Sequence, residues 1–182
     1  DWADIVIEGF TPGTMAGFGL DWDTLSEQRT DLVMLSTSLR GETGPERSYT
    51  GFGTHGAALA GISGITGWPG GPPVGPWGAY TDFIAQRYGL AALGAALHHR
   101  ALTGRGQHID LSQIEAAIHF IEPLLLDCAV NGRVPGPAGH QSLHACPHGV
   151  YRCTGVERFV AIAVETGAQW DALRSQAPLA DF

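Results

Sequence analysis

Asp82 is an acid without acidic neighbours. From Arg47 to Ile109, a run of 63 residues, the chain has no other Asp or Glu, although it has 18 in all. Asp82 follows a Gly/Pro-rich run, Gly67-Trp68-Pro69-Gly70-Gly71-Pro72-Pro73 and then Gly75-Pro76-Trp77-Gly78, and directly precedes an apolar segment rich in small residues. A carboxylate at the mouth of such a helix lies near the positive end of the helix dipole and near free backbone N–H groups, which favour its ionised form. Chemistry that needs one defined anionic oxygen has this appearance. Thr81 and Asp82 also suit an ordinary helix start, where a side-chain oxygen caps an orphan N–H, so a structural role stands beside the chemical one.

A second group of reactive types is His140, His144, Cys146, His148 and Cys153. The count is adequate for zinc, but the spacing matches no closed ligand set, so these read as linker residues and no metal is expected. His98, His99 and His108 fall around the end of the long helix that Asp82 opens, where cationic or polar side chains suit the dipole.

The elements that must position Asp82 follow from pattern. Asp4-Ile5-Val6-Ile7-Glu8 and Asp31-Leu32-Val33-Met34-Leu35-Ser36 read as buried strands, with one or two short helices between Thr14 and Arg29. Strand, crossover and strand is the βαβ signature of a parallel sheet. The edge of that sheet is expected at Leu39, where Arg40-Gly41-Glu42-Thr43-Gly44-Pro45 turns the chain away. Thr54 to Ile65 reads as one small-residue helix. Thr81 to Leu102 reads as a long helix closed by Gly104, apolar on every side and therefore buried. Ser112-Gln113-Ile114-Glu115 is a capping box opening a helix to about Asn131, kinked at Pro123 and stopped by Gly132. Gly149 to Cys153 and Arg158 to Val164 read as a hairpin, and Gln169 to Ser175 begins another helix. The expected organisation is a large α/β unit over 1–132, a Pro/Gly/His-rich linker over 133–148 and the start of a small α+β unit over 149–182.

Composition narrows the partners. The chain is 182 residues long, 44% hydrophobic and 15% charged, with 26 Gly, so much surface should be buried against close-packed backbone or a partner chain. A net charge of −8 argues against nucleic acid. All ten basic residues are Arg, which excludes a Schiff-base lysine and a Walker lysine within these residues. A phosphate-bearing ligand must then be held by Arg, backbone N–H groups or helix N-termini. Three cysteines without a CxxC, and no signal-like start, point to reduced thiols in the cytoplasm. The longest apolar run, Tyr88 to Leu97, is ten residues, whereas a membrane span needs roughly 20, so no membrane is expected. The opening on Asp1, and an end soon after a helix begins, read as an internal piece of a longer protein.

Four stretches, in this order and spacing, resemble the family III CoA-transferases, the group that includes formyl-CoA transferase, carnitine CoA-transferase and the α-methylacyl-CoA racemases. They are Ala3 to Gly13 (ADIVIEGFTPG), Leu35 to Pro45, Tyr80-Thr81-Asp82, and Arg100 to Leu111 with its Thr103-Gly104-Arg105-Gly106-Gln107-His108-Ile109-Asp110. The resemblance runs from about residue 1 to 175. It implies a Rossmann-like large domain, of which this chain would be the C-terminal part, and two chains interlocked as a homodimer. It implies coenzyme A as substrate and transfer between an acyl-CoA and a carboxylic acid. Asp82 falls at the family's catalytic aspartate, which forms an aspartyl-acyl anhydride and then an aspartyl-CoA thioester. Gly9, Phe10 and Thr11 fall on the nucleotide-side loop, and Phe52, Gly53 and Thr54 where the family lines the pantetheine channel. Two departures stand out: the family's Asn is Gly9 here, and a basic residue shortly after the Pro-Gly is replaced by Ala16-Gly17-Phe18.

The alternative within the family is a racemase or epimerase, which pairs the aspartate with a histidine for proton transfer at the α-carbon. His55 is the available partner but is displaced by three positions from where that histidine falls. Outside the family, the alternatives are a non-catalytic binding module and a folded fragment that is inactive alone.

Overall fold

The computed structural model describes residues 2–176. A parallel three-stranded sheet runs in the order β1 (Ile5–Glu8), β2 (Val33–Ser38), β3 (Gln107–Ser112). Ile7 sits beside Leu35, and Leu35 beside Ile109. As the middle strand, β2 is buried at every position, which is why its first half is an unbroken apolar run. The crossover from β1 to β2 carries α1 (Thr14–Gly17) and α2 (Trp22–Gln28), as the βαβ reading requires.

β3 departs from the sequence reading, which had no strand there and ended the sheet with β2. Of its six residues, Gln-His-Ile-Asp-Leu-Ser, the five from His108 alternate polar and apolar, and its exposure alternates less cleanly along the sheet edge. The turn into it is tight. Gly106 N–H donates to Thr30 O at 2.8 Å, and a Cβ at Gly106 would lie 1.7 Å from Leu32 O. Only glycine lets the two chain segments approach this closely.

The expected helix over 54–65 is two helices, α3 (Gly53–Leu59) and α4 (Ile62–Ile65), because Gly61 breaks it with φ of +88°. α5 (Tyr80–Thr103) has 24 residues and so runs about 36 Å. It ends as anticipated at Gly104, in the left-handed conformation with its N–H donating to Arg100 O at 2.8 Å. The segment after β3 is α6 (Gln113–Ile118), a 3₁₀ turn (His119–Ile121) and α7 (Glu122–Asn131). Ser112 caps α6, its hydroxyl accepting from Glu115 N–H at 3.2 Å. Pro123 stands in the first turn of α7, where a missing N–H costs nothing, so it starts a new helix rather than kinking one.

Residues 133–147 carry no helix or strand. β4 (His148–Arg152) and β5 (Phe159–Ala163) then form the antiparallel hairpin, followed by α8 (Gly167–Gln176). Residues 177–182 of the expected small unit, and Asp1, lie outside the described residues. No described helix is long and apolar enough to cross a membrane.

Arg100 fixes the direction of α5, and Arg29 braces the edge of the sheet that it grips. Arg100, in its last turn, donates to Asp4 O at 3.1 Å and Asp31 O at 3.4 Å. Arg29 bonds Ala3 O, Asp4 and Asp31 at the same end of the sheet. The helix C-terminus is thereby held at the amino ends of β1 and β2, and its N-terminus arrives at their carboxyl ends. Beneath that end lies a core of Ala57, Ala60, Ile62, Ile84 and Ala117, with Ile114, Ile118 and Ile121 packed around it. Contrary to the all-round burial expected, α5 buries one face only: Phe83 is 70% exposed and Leu90 73%.

Gly106→Ala should destabilise the fold by about 3 kcal/mol, since its methyl can be accommodated only by moving the backbone of the β2 lead-in. A urea midpoint within error of wild type would refute this account of the turn.

Candidate active site

The helix preceding Asp82 begins without a side-chain cap. Ala79 is the N-cap residue and no side-chain bond is made there, so Asp82, third in α5, does not serve the capping role open to it in the sequence. Its N–H donates to Ala79 O at 3.0 Å, and its side chain is half-buried. Among the described residues nothing hydrogen-bonds or ion-pairs its carboxylate.

Thr81 does the positioning. It is completely buried, and its hydroxyl lies 3.1 Å from Gly53 O and 3.3 Å from Gln113 Oε1. The hydroxyl has one proton to donate, and the shorter contact, to Gly53 O, takes it ahead of Gln113 Oε1. The first turn of α5 is thus tied to the starts of α3 and α6. The approach is close because α3 presents glycines: a Cβ at Gly56 would lie 2.5 Å from Thr81 Oγ1, and one at Gly53 would lie 2.8 Å from both Ala79 O and Asp82 Oδ2.

The carboxylate opens into a cleft of about 190 Å³ at the carboxyl edge of the sheet. Gly9, Phe10 and Thr11 reach it from the β1–α1 loop, Thr37 and Ser38 from the end of β2, and Arg47 and Phe52 from the loop that follows. Glu8 shapes the first loop by accepting Phe10 N–H at 2.8 Å. Of the residues singled out for coenzyme A, then, Gly9, Phe10, Thr11 and Phe52 share one cleft with Asp82. Gly53 is buried behind the carboxylate, where it leaves room for the oxygen, and Thr54 is exposed and outside the lining. Among the described residues Thr37 Oγ1 and Ser38 Oγ, in the cleft wall, are buried without a hydrogen-bond partner.

Beside it lies a larger cavity of about 340 Å³, with Glu8, Asp21, Asp23 and Glu42 in its lining and Arg47 shared between the two. Burial, with Glu8 and Asp110 nearby, raises the Glu42 carboxyl above its ordinary value, and Arg47 opposes that rise. His108 is here too. It is not a helix-end residue, as its sequence position suggested, but a β3 residue bonded to Ser36 Oγ at 2.9 Å and stacked on Trp22 with centroids 5.5 Å apart. Burial holds its imidazole below the ordinary 6.5, and the neighbouring Asp110 and Glu8 act the other way.

His55 is engaged elsewhere. Its Nδ1 accepts Phe52 N–H at 3.0 Å, and its ring stacks on Phe52 at the start of α3; it is not part of the cleft lining. In the linker, His140 packs edge-on against Trp68 and its carbonyl oxygen bonds His148 Nδ1. Among the described residues no group of three His, Cys, Asp or Glu is placed to hold a metal ion. Sequence reasoning missed Thr81's inward role and Arg47 altogether. The glycines at 53 and 56 signalled a close approach, but nothing local to Arg47 announces the cleft.

A profile of CoA-transferase family III matches residues 1–181. The alpha subunit of succinyl-CoA–L-malate CoA-transferase from Chloroflexus aurantiacus is 37% identical over 172 residues, covering 94% of this chain and 40% of that protein. Succinyl-CoA–D-citramalate CoA-transferase from the same organism is 35% identical over 150 residues, 81% of this chain and 37% of that protein. The crystal structure of a CAIB/BAIF family protein from Brucella suis superposes with a TM-score of 0.86 at 27% identity, over 96% of this chain and 46% of that one. The chain therefore belongs to CoA-transferase family III, and it spans about two fifths of the length of the curated relatives it matches.

Thr81→Val should cost about 1–3 kcal/mol, because Gly53 O loses its buried donor while the shape is kept; denaturant titration reads this directly, and a neutral effect would remove Thr81 from the positioning role. For His108, the folded imidazole titrates below the unfolded one. Its contribution is complete above pH 6.5 and is lost as pH falls below that value, because the unfolded chain then binds the extra proton. Stability of wild type should accordingly drop from pH 7 to pH 5 more steeply than that of His108→Gln, measured by urea midpoints at each pH.

Proposed function

We propose that this chain carries the nucleophile of an enzyme that moves coenzyme A from an acyl-CoA to a carboxylic acid, with Asp82 as the covalent catalyst. The observation that carries the reading is the half-buried, unpaired Asp82 carboxylate opening into the same cleft as Gly9, Phe10, Thr11 and Phe52. A carboxylate held by an ion pair or a cap would be a poor nucleophile; this one faces an opening.

In the first step an Asp82 oxygen attacks the thioester carbonyl carbon. The C–S bond breaks, coenzyme A leaves as thiolate, and an aspartyl-acyl anhydride remains. The thiolate then attacks the Asp82 carbonyl carbon and the donor acid departs as a carboxylate, leaving an aspartyl-CoA thioester. An acceptor carboxylate attacks that thioester, giving a new anhydride and thiolate. Attack of the thiolate on the acceptor's acyl carbon delivers the product thioester and restores Asp82. No proton is transferred at any stage, which suits a cleft where no histidine faces the carboxylate. Dividing one exchange into four displacements is covalent catalysis. The apolar helix core beneath Asp82 and the ring of Phe10 help exclude the water that would hydrolyse the intermediates.

The similar proteins named above act on succinyl-CoA with malate or citramalate, which are short dicarboxylic acids. We assign the same class of acid to this chain. The open apolar face of α5, with Phe83 and Leu90, supports packing against further protein, in keeping with the interlocked homodimer that the resemblance implies. The proposed division is a large coenzyme-binding unit to residue 132, a linker over 133–148 and a small unit beyond.

In the full-length protein, Asp82→Asn should lower transfer by at least about 10³-fold, as loss of a covalent nucleophile does. Hydroxylamine added after acyl-CoA should label wild type at Asp82 and leave the variant unlabelled. Equal labelling of the two would end this reading.

A further inference from the structure

We propose that Arg47 selects dicarboxylic substrates: its guanidinium takes the remote carboxylate of the acyl group while Asp82 meets the activated end. The inference rests on the transferase reading above and adds to it the residue that recognises the second charge.

Arg47 is the one basic residue in the lining of the Asp82 cleft. Among the described residues the other arginines near the sheet have partners: Arg29 and Arg100 hold the amino edge, and Arg40 pairs with Glu46 and lies over the Tyr49 ring. Arg47 makes no ion pair there and is exposed. Since the chain has no lysine, no other kind of cation is available at this wall.

Cleft size and charge decide what Arg47 meets. At about 190 Å³ the cleft is smaller than the roughly 300–1,000 Å³ pockets that enclose larger ligands. A short acyl group fits such a space, beside the residues proposed to meet the coenzyme. A dicarboxylic acyl group brings a second anion into a cleft that already contains the Asp82 carboxylate, and like charges at such range repel. A guanidinium on the same cleft reverses the sign of that encounter, and its planar fork matches a carboxylate with two parallel hydrogen bonds. The coenzyme's phosphates are the competing source of anionic oxygen. They are disfavoured because the other cavity that Arg47 borders carries Glu8, Asp21, Asp23 and Glu42, an arrangement that repels phosphate.

The test uses the full-length protein with acetyl-CoA as donor and two four-carbon acceptors, succinate and butyrate. In Arg47→Gln the kcat/KM ratio of succinate to butyrate should fall about 30- to 100-fold, the usual range for removing one side of a charged contact. Arg47→Lys should keep part of the preference, which a purely structural lesion would not. Equal losses for both acids, the result of a phosphate contact or of misfolding, overturn the proposal, as does an unchanged ratio. Succinate binding by calorimetry separates this from the transferase reading. If wild type transfers no coenzyme A, that reading falls. Arg47 then stands only if Arg47→Gln binds succinate at least about tenfold more weakly than wild type does, and falls if binding is equal.

Discussion

The near-contact of α3 with the first turn of α5 is the constraint on which the arrangement of the cleft depends. Two helices ordinarily pack with axes 8–10 Å apart, a distance set by the side chains between them. Here Gly53 and Gly56 remove those side chains, so the Thr81 hydroxyl reaches Gly53 O and the Asp82 carboxylate passes beside the Gly53 α-carbon. A methyl group at either glycine would push α5 away. The hydroxyl would then lose its acceptor, and the carboxylate would swing off the cleft. Packing and chemistry are set by the same few atoms.

The far end of α5 completes the geometry. Arg100 ties it to the amino edge of the sheet through the carbonyls of residues 4 and 31, so α5 runs antiparallel to the strands. In open parallel sheets, ligands bind outside the carboxyl ends of the strands, where loops diverge. An antiparallel helix delivers its N-terminal residues to that edge. Asp82 therefore meets the β1–α1 loop and the end of β2 without any contribution from the hairpin beyond residue 147. About 36 Å of helix separates the anchor from the carboxylate, so disturbance of the arginine contacts would be felt at the site chiefly as a tilt of the whole helix.

What the sequence made legible was whatever is written locally. The two apolar strands, a helix stopped by Gly104 and the capping Ser112 are each decided by a few adjacent residues, and each is present, but only β2 is buried as expected: Ile5 and Ile7 leave β1 exposed at the sheet edge. Asp82 stood out through the absence of other acids around it. β3 was hidden because its alternation is short and merges into the capping signal at Ser112. Gly61 and Pro123 divided helices that periodicity alone joined, since each acts through backbone geometry that hydrophobic spacing does not record. Four of the six residues carried over for coenzyme A line the cleft because they sit in loops at strand ends. Gly53 and Thr54 begin α3, so one turns inward and the other out to solvent. Thr81 looked like a cap; its inward direction depends on glycines some 25 residues earlier, a long-range fact. Arg47 had no local signature.

The charges of the chain are unevenly divided between the two openings at this edge of the sheet. Four carboxylates line the larger cavity, where burial and mutual repulsion already raise Glu42 and His108 is held toward its neutral form. Such a wall resists phosphate. That fits the replacement of a basic residue by Ala16-Gly17-Phe18. The Asp82 cleft differs: it has one acid, one arginine, and hydroxyls at Thr37 and Ser38 without partners. In the proposed reaction the acyl carbonyl would gain negative charge as the Asp82 carboxylate attacks it. In that reaction the acidic cavity would repel anions, and the neighbouring cleft, with its single acid and its arginine, would receive the substrate's.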